Sequence, residues 1–310
     1  MNNKATLNPQ LTGLAQQFMS STSGFVGTTI APVFNSAVPS GQYYLWDRDN
    51  YMNNPSRLDR APGAEYQTLT SSLSSDAFVC KDIGVQVAVD DTERALYSNS
   101  FSADQAAAER ATLAVMVEHE RAVQEMLADP SIPTVSSALD YSSAALADIK
   151  AQLRAAMESV RLNSGMRPNV CVMSETVLNA LLDNPNVVGQ IQYTVAAGVP
   201  NADIISRVFS LPQIAVASTI QNSANEGQTL SPADLWGDDI YLAVTNPSQD
   251  LQAVNFARTF AWTGSGMAGA LSIDSYRKPE AYSDFFVSHA FRGQKLTAPK
   301  AGYSITSVLS

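Results

Sequence analysis

The sequence predicts an α+β protein, and three patterns carry that prediction. A long amphipathic helix is expected over Ser102–Asp129, and a strand with one buried face is expected over Ile83–Asp90. Between residues 144 and 262, short segments with helical periodicity alternate with short segments typical of strands. The 310 residues are enough to form one large domain or two modest ones.

The long helix has clear signals at both ends. Ser102 and Gln105 form a capping-box pattern, and Pro130 disfavours helical geometry in Asp129. No glycine or proline interrupts the segment, which at about 1.5 Å per residue would be roughly 40 Å long. The stripe expected to be buried consists of Leu113, Met116, Val117, Val123 and Leu127. So long a helix predicts a structural spine for the fold.

The first 75 residues carry weaker patterns. Residues 1–40 have no strong periodicity beyond a short segment near Leu11–Met19, so we expect an arm that stays mobile or lies across a neighbour. Aromatic residues in 41–52 and β-branched or apolar residues in 64–75 flank a polar tip. The pattern predicts an extended two-stranded loop over 41–75, which needs other structure to lean on.

The second half of the chain predicts a compact α+β unit over 141–262, with the flanking ranges 76–140 and 263–310 forming another unit. A final strand is expected near Phe285–Ala290, apolar on both faces. The expected helices are Ala144–Leu162, Glu175–Leu182 and Asp203–Phe209. The expected strands are Asn169–Met173, Gln213–Ile220, Ile240–Thr245 and Phe256–Trp262.

The composition limits the possible functions. Charged residues make up 15% of the chain, below the usual ~25%, and the net charge is −10. Because tight nucleic-acid binding depends on clustered Lys and Arg, a sequence-reading DNA binder is not expected. The low charge fits surfaces that are buried against other subunits, although a compositional bias of the source would explain it equally well. No apolar run approaches the roughly 20 residues that cross a membrane.

The candidate motifs for chemistry are weak. Gly264–Gly269 matches GxGxxG, but a strand-like segment follows it, so we expect a glycine loop between strands. His119 lies in Glu-His-Glu on the long helix and is expected on a solvated face, and His289 is expected to be structural. Cys80 and Cys171 have neither disulfide-framework nor metal-ligand spacing. We therefore expect no catalytic, cofactor-binding or metal site, and no enzymatic activity.

The extended loop carries the residues most typical of an interface. Large aromatic side chains and arginines anchor protein contacts, and its aspartates are suited to salt bridges across such a contact. The candidates are Tyr43, Tyr44, Trp46, Asp47, Arg48, Asp49, Arg57 and Arg60. The alternative is a hairpin that folds onto its own domain.

The order of these elements resembles the major capsid proteins of tailed phages. The similar stretches are TTIAPVFNSAVPSGQYYLWDRDNY before the extended loop, PGAEYQTL on its return, AERATLAVMVEHERAVQEML in the long helix, NVCVMSETVLNALLDNPNV, and SDFFVSHAFRGQKLTAPKAGYSI. The resemblance implies an N-terminal arm, an extended loop, a peripheral domain with a spine helix, and an axial domain over 141–262. It also implies that the arm and loop lie over adjacent subunits.

The same resemblance implies a function and a set of partners. We expect a subunit that self-assembles, as pentamers and hexamers, into the icosahedral shell around a tailed phage's double-stranded DNA. The protein would be made in the host cytoplasm and reside in the virion capsid. Expected partners are a separate scaffolding protein, a portal protein, a possible decoration protein, and packaged DNA contacted without sequence specificity. The alternative is an encapsulin-like compartment that holds an enzyme cargo.

Some capsid proteins of this family weld neighbouring subunits through a lysine on the extended loop. No lysine lies between Lys4 and Lys81 in this chain, so we predict that this covalent weld is absent. Shells boiled in detergent should therefore give only the monomer by mass spectrometry. A ladder of covalent oligomers would contradict this prediction.

Overall fold

The computed structural model describes residues 6–8, 10–15, 24–45, 59–66, 68, 74–97, 102–194, 201–224, 227–264 and 271–309. Residues 10–15 are helical. The other helices are α1 (Gly27–Ile30), α2 (Asp91–Tyr97), α3 (Ala103–Leu127), α4 (Leu146–Ser164), α5 (Glu175–Asp183), α6 (Pro185–Thr194) and α7 (Ala202–Phe209). Two 3₁₀ turns lie at Pro279–Ala281 and Pro299–Ala301.

Strands fall into two larger sheets and two small hairpins. The strands of the first half are β1 (Thr6–Leu7), β2 (Val33–Ser36), β3 (Ser40–Leu45), β4 (Ser74–Val79), β5 (Lys81–Asp90), β6 (Thr134–Ser136) and β7 (Val170–Ser174). Those of the second half are β8 (Gln213–Ala217), β9 (Ile220–Asn222), β10 (Pro232–Asp234), β11 (Ile240–Ala243), β12 (Ala257–Trp262), β13 (Ser272–Lys278), β14 (Ser283–Leu296) and β15 (Gly302–Thr306).

The first sheet is built around β14, the longest strand. Its order is β1-β13-β14-β12-β2, and β5 also pairs with β14 in antiparallel register. On β5 the predicted alternation is confirmed, because Ile83, Val85, Val87 and Val89 are each more buried than the residues between them. This sheet supplies the platform on which α3 lies.

The second sheet has five strands in the order β6-β15-β11-β7-β8. Strand β7 is buried along its whole length, as predicted, and its alternate side chains enter two different cores. Cys171 and Met173 pack with the helices α4, α5 and α7. Val170 and Val172 pack with α1, the end of α3 and Trp236. The second sheet therefore separates a helical layer from the core that it shares with the first half of the chain.

The long helix runs over Ala103–Leu127, close to the predicted bounds. Ser102 caps it, since its side chain accepts a hydrogen bond from the Gln105 backbone N–H. The buried face differs from the predicted stripe, however, because Leu113 is 40% exposed and Met116 and Val117 are only half-buried. The buried side chains on this helix are Ala107, Ala108, Ala111, Thr112, Val115, His119, Glu120, Val123 and Leu127.

Small side chains explain that difference. Ala108 and Val115 pack against Ala290 of β14, and Ala107 packs against Phe286 of the same strand. Helix positions occupied by alanine let the helix backbone lie close to the strands beneath it. The predicted stripe is therefore confirmed at Val123 and Leu127 and wrong in the first half of the helix, where small residues rather than Leu113, Met116 and Val117 form the buried face.

The described part of the predicted N-terminal arm packs on its own subunit. Strand β1 pairs with β13, and Ala15 lies in a core with Ala108. Val26 and Ile30 are buried in the core beneath the second sheet, and β2 runs parallel to β12. The expectation of an arm that stays mobile or lies across a neighbour is therefore wrong for residues 26–36, most of which are buried or half-buried in the subunit itself, whereas residues 37–40 are exposed.

The predicted two-stranded arm is present, but its return strand is shifted. Strand β3 pairs with β4 in antiparallel register from Ser40↔Val79 to Leu45↔Ser74, so the described return strand begins at the last two residues of the predicted range 64–75 and extends beyond it. Phe78 stacks on Phe260 of β12, with ring centroids 4.2 Å apart and an interplanar angle of 6°. This stack attaches the base of the hairpin to the first sheet.

Strand pairing also crosses the predicted domain boundaries. Strand β12 was assigned to the unit 141–262, yet it pairs with β14 and β2 of the first sheet. Strand β15 was assigned to the returning segment 263–310, yet it pairs with β11 in the second sheet. The chain thus passes between the sheets more often than its local composition indicates.

We predict that Phe78→Ala lowers the free energy of unfolding by about 3 kcal/mol, because it leaves a cavity under the hairpin. The neighbouring Val79 is exposed on the opposite face of β4, so Val79→Ala should change it by less than about 0.5 kcal/mol. Urea denaturation of the dissociated subunit measures both values. Equal effects of the two substitutions would contradict the anchoring role of Phe78.

Candidate subunit interface and the buried centre that supports it

Three of the predicted interface residues lie within the described residues. Tyr43 and Tyr44 are on β3, and Arg60 lies in the turn region 59–66. The other candidates, Trp46, Asp47, Arg48, Asp49 and Arg57, lie outside the described residues.

Tyr43 belongs to the core of its own subunit. Its side chain is 2% exposed, and its hydroxyl donates to Asp76 Oδ2 at 3.0 Å and contacts the Leu296 carbonyl at 3.1 Å. Burial and the hydrogen bond to Asp76 raise the pKa of Tyr43 above its ordinary value. The expectation that Tyr43 contacts a neighbouring subunit is therefore wrong, and at this position the hairpin folds onto its own domain.

Tyr44 points the other way and is 60% exposed. The strand register places it on the outer face of the hairpin, where every side chain is exposed. This outer hairpin face consists of Ser40, Gln42, Tyr44, Ser75, Ala77 and Val79. None of these side chains is charged, so covering them removes no charge from water.

Arg60 makes local contacts within its turn. Its guanidinium lies 4.6 Å from the ring centroid of Tyr66, and it donates to the Ala64 carbonyl at 3.1 Å. Both side chains are exposed, so they remain available to a partner.

An ion-pair network around the start of α2 joins this helix to α3 and to the strands β13 and β14. Arg277 of β13 bonds both oxygens of Asp91, and Arg94 Nη2 lies 2.7 Å from Asp104 and from Asp284. The hydrogen bonds from Arg277 lower the pKa of Asp91, and the bonds to Asp104 raise the pKa of Arg94. These charges are partly exposed, so each pair contributes little by itself and the network mainly fixes the register of its elements.

The centre of the subunit contains a buried carboxylate, which was predicted to be solvated with its neighbours. Glu120 of α3 is 1% exposed. Its Oε1 accepts a hydrogen bond from the Gly27 backbone N–H at 2.6 Å, and its Oε2 accepts one from Trp236 Nε1 at 2.9 Å. A Cβ at position 27 would lie 2.7 Å from Glu120 Oε1, so a larger residue there would displace the carboxylate from its present position. Glu120 thereby ties α3 to the N-terminal segment and to the loop before β11.

Two further polar side chains lie beside Glu120. Arg292 of β14 is buried and donates to the Val115 carbonyl at 2.5 Å, and burial lowers its pKa to about 10. His119 is also buried, with Nδ1 3.0 Å from Gln294 Nε2, and burial lowers its pKa to about 3. The expected solvated face at His119 is therefore wrong, and this histidine is held neutral in the core.

The other candidate residues have structural surroundings. His289 lies on β14 between Asp82 and Asp274, with its nitrogens 3.7 and 3.3 Å from their carboxylate oxygens. Cys80 and Cys171 are both buried and free, and burial raises the pKa of Cys171 to about 12. After the glycine motif, most of which lies outside the described residues, β13 begins at Ser272 as a strand, as expected.

Within the described parts of the chain, no cluster of His, Cys, Asp and Glu has the geometry of a metal site. Among the same residues, no helix is both long enough and apolar enough to cross a membrane.

Sequence reasoning missed Glu120, Arg292 and Trp236 as a group. The one available signal was spacing, because Glu120 lies three residues before Val123 and seven before Leu127, on the stripe predicted to be buried. Their partners come from distant parts of the chain, so no local pattern identifies them.

Comparison with known proteins gives a consistent result. No family model matches the chain. The chain is 24% identical over 243 residues to the major capsid protein of Burkholderia phage BcepMu. The aligned region covers 76% of each protein.

Solved structures extend the likeness over nearly the whole chain. A phage-related protein from Bordetella bronchiseptica matches with a TM-score of 0.73 and 18% identity over 98% of both chains. The capsid of cyanophage P-SCSP1u matches with a TM-score of 0.56 and 12% identity over 89% of this chain and 86% of that one. A virus-like particle from Pyrococcus furiosus also matches with a TM-score of 0.56 and 12% identity, over 96% of this chain and 97% of that one.

The chain has the tailed-phage capsid fold. The α+β prediction and the resemblance to tailed-phage capsid proteins are both confirmed. Within this fold the outer hairpin face and the turn at Arg60 are exposed, whereas Glu120 holds the centre of the subunit together.

We predict a specific pH dependence from Glu120. Desolvation raises the pKa of its carboxyl more than the hydrogen bonds from Gly27 and Trp236 lower it. Folding therefore favours the protonated form, so the contribution of Glu120 to stability is greatest below the unfolded pKa of about 4.3 and decreases as pH rises through the folded pKa. A glutamine side chain does not titrate, so the difference in unfolding free energy between wild type and Glu120→Gln should decrease as pH rises.

Urea unfolding of both proteins between about pH 4 and pH 8 measures this difference. Glu158→Gln serves as a control of opposite sign, because Arg161 lowers the pKa of Glu158 and the group is exposed. For that pair the difference should increase with pH up to about pH 5 and then stay level to pH 8, because the stabilisation by a carboxyl of lowered pKa is lost only as pH falls below its unfolded pKa of about 4.3. A flat or rising difference for Glu120→Gln would contradict the prediction.

Proposed function

We propose that this protein is a structural subunit that self-assembles into the icosahedral shell of a tailed phage. The observation that carries the proposal is the combination of the tailed-phage capsid fold over nearly the whole chain with sequence similarity to a major capsid protein. The role is structural, and its location is the virion capsid.

The contacts between copies involve the outer hairpin face. This face exposes Tyr44 and Val79 and carries no charge, although the chain has a net charge of −10. Copies with a net negative charge repel one another, so an uncharged patch with a large aromatic side chain is a favourable place for them to meet. The continuing loop, with Trp46, Asp47, Arg48, Asp49 and Arg57, extends this contact, and Arg60 borders it.

The proposal includes a finer assembly. Copies group as pentamers and hexamers, and a closed shell arises from heterologous contacts repeated under symmetry. A scaffolding protein, a portal protein and a decoration protein are the partners we propose, together with packaged double-stranded DNA contacted without sequence specificity. The protein is made in the host cytoplasm.

The second candidate is an encapsulin-like compartment around a protein cargo. The virus-like particle from Pyrococcus furiosus and the cyanophage capsid match with the same TM-score, so the fold is compatible with either candidate. The sequence similarity to the phage protein favours the phage shell.

Electron microscopy of the purified protein, with and without a co-expressed scaffold, tests the proposal. We expect closed, uniform shells, and DNA inside shells recovered from infected or induced cells would separate a phage capsid from a compartment. Protein cargo in place of DNA would favour the second candidate. Only small species under every condition would contradict a shell-forming role.

We predict that Tyr44→Ala, Trp46→Ala and the double variant Arg48→Ala/Arg57→Ala each reduce shell assembly severalfold while the subunit stays folded, because they remove interface anchors. Tyr282→Ala is the matched control, since Tyr282 is similarly exposed. It directly precedes the first residue of β14, whereas the hairpin contacts the last residue of that strand, Leu296. Shell yield by microscopy and folding by circular dichroism are the measurements. Normal shells from the three loop variants, or an equal loss in Tyr282→Ala, would contradict this interface.

A further inference from the structure

Three arginines gather on the helical layer of the second sheet. Arg154 and Arg161 lie two turns apart on α4, about 10 Å along its axis, and Arg167 follows soon after the helix ends. Gly165 allows this return, because it ends α4 in the left-handed conformation with φ 75°. We call Arg154, Arg161 and Arg167 the arginine patch.

The arginine patch surrounds an open depression of about 550 Å³. Its rim is charged, and its floor is largely apolar. The floor is formed by Met157, Pro168, Leu211 and Pro212, with Ser210 beside them.

The charge of this depression is opposite to that of the chain. The three guanidinium groups face one carboxylate, Glu158, which leaves two positive charges on a protein of net charge −10. Arg161 is held by Glu158, with Nε 2.8 Å from Oε2. Arg167 also acts on Glu158, since its charge helps to lower the pKa of that carboxyl, and Arg154 is exposed beside them. The three arginines are seven and six positions apart in the sequence, so they do not form a run of basic residues there. The fold brings them together into a basic cluster.

We propose that the arginine patch binds the sugar-phosphate backbone of double-stranded DNA without reading its bases. The proposal rests on the proposed shell function, and names the surface that would meet the packaged DNA. Guanidinium groups match phosphate oxygens in bidentate geometry, and the apolar floor suits the deoxyribose between two phosphates. Duplex DNA carries a charge about every 1.7 Å, so two arginines about 10 Å apart reach phosphates of one segment.

An acidic segment of a second copy is the competing occupant. One acidic group of the described residues, formed by Asp91, Asp104 and Asp284, is already bonded to Arg94 and Arg277. Its carboxylates are therefore not free to pair with the arginine patch of another copy. The closely spaced phosphates of a duplex match arginines about 10 Å apart, and this match favours phosphate as the partner.

The test measures binding of the dissociated subunit to fluorescent duplexes of about 20 base pairs, by anisotropy, over about 25–200 mM salt. The variant is Arg154→Ala/Arg161→Ala/Arg167→Ala. We expect it to bind at least about tenfold more weakly at the lowest salt, and the slope of log K against log salt to fall by about 2. Two unrelated duplex sequences should bind wild type equally.

Three matched variants control for charge and location. The triple arginine-to-lysine variant should keep the salt slope, since it keeps the charges. Glu158→Gln should increase affinity, because it removes the one negative charge of the depression. Arg110→Ala/Arg121→Ala removes two exposed arginines of α3 and should bind as wild type.

Shell formation by the same variants separates this proposal from the proposed function. Shells from the alanine variant together with weakened DNA binding would support the arginine patch. Unchanged DNA binding by the alanine variant would overturn it, and a loss of assembly with unchanged DNA binding would assign the patch to contacts between copies. If wild type forms no shells but binds DNA through the patch, the shell function fails and this inference stands.

Discussion

The rest of the structure depends on one buried carboxylate. Glu120 holds α3 against the Gly27 backbone and the Trp236 indole, so a single side chain joins the long helix, the N-terminal segment and the loop that enters the second sheet. A buried carboxylate is costly unless its oxygens are hydrogen-bonded, and both oxygens of Glu120 are. Because its donors come from positions 27 and 236, these elements must be in place together for the charge to be tolerated. This requirement favours one arrangement of the two sheets over others.

The parts of the fold that could be predicted are those determined by local pattern. The long helix, the alternation of Ile83–Val89 and the buried strand at Val170–Ser174 each carry their periodicity or caps within a few residues. The return strand of the hairpin extends past its predicted end at residue 75 to Val79, and there Phe78 stacks against Phe260, which lies far away in the sequence. Local sequence does not encode such a contact.

The candidate sites follow the same division. Tyr43 and Tyr44 are adjacent and chemically identical, yet one is buried and the other exposed, because successive residues of a strand face opposite sides. Sequence reasoning identified the pair but not which member faces outward. Likewise, Glu118 and Glu120 look alike in Glu-His-Glu, and only the packing of α3 on β14 separates the half-buried from the buried one.

The distribution of charge gives the surface two distinct chemistries. The outer hairpin face is neutral, so a second copy can cover it without desolvating any charge, although each copy is acidic overall. The arginine patch is positive, and covering it with an uncharged protein surface would leave guanidinium groups without partners. A phosphate backbone satisfies those groups and a neutral strand does not. The two surfaces are therefore suited to different partners, one to a protein neighbour and the other to a polyanion.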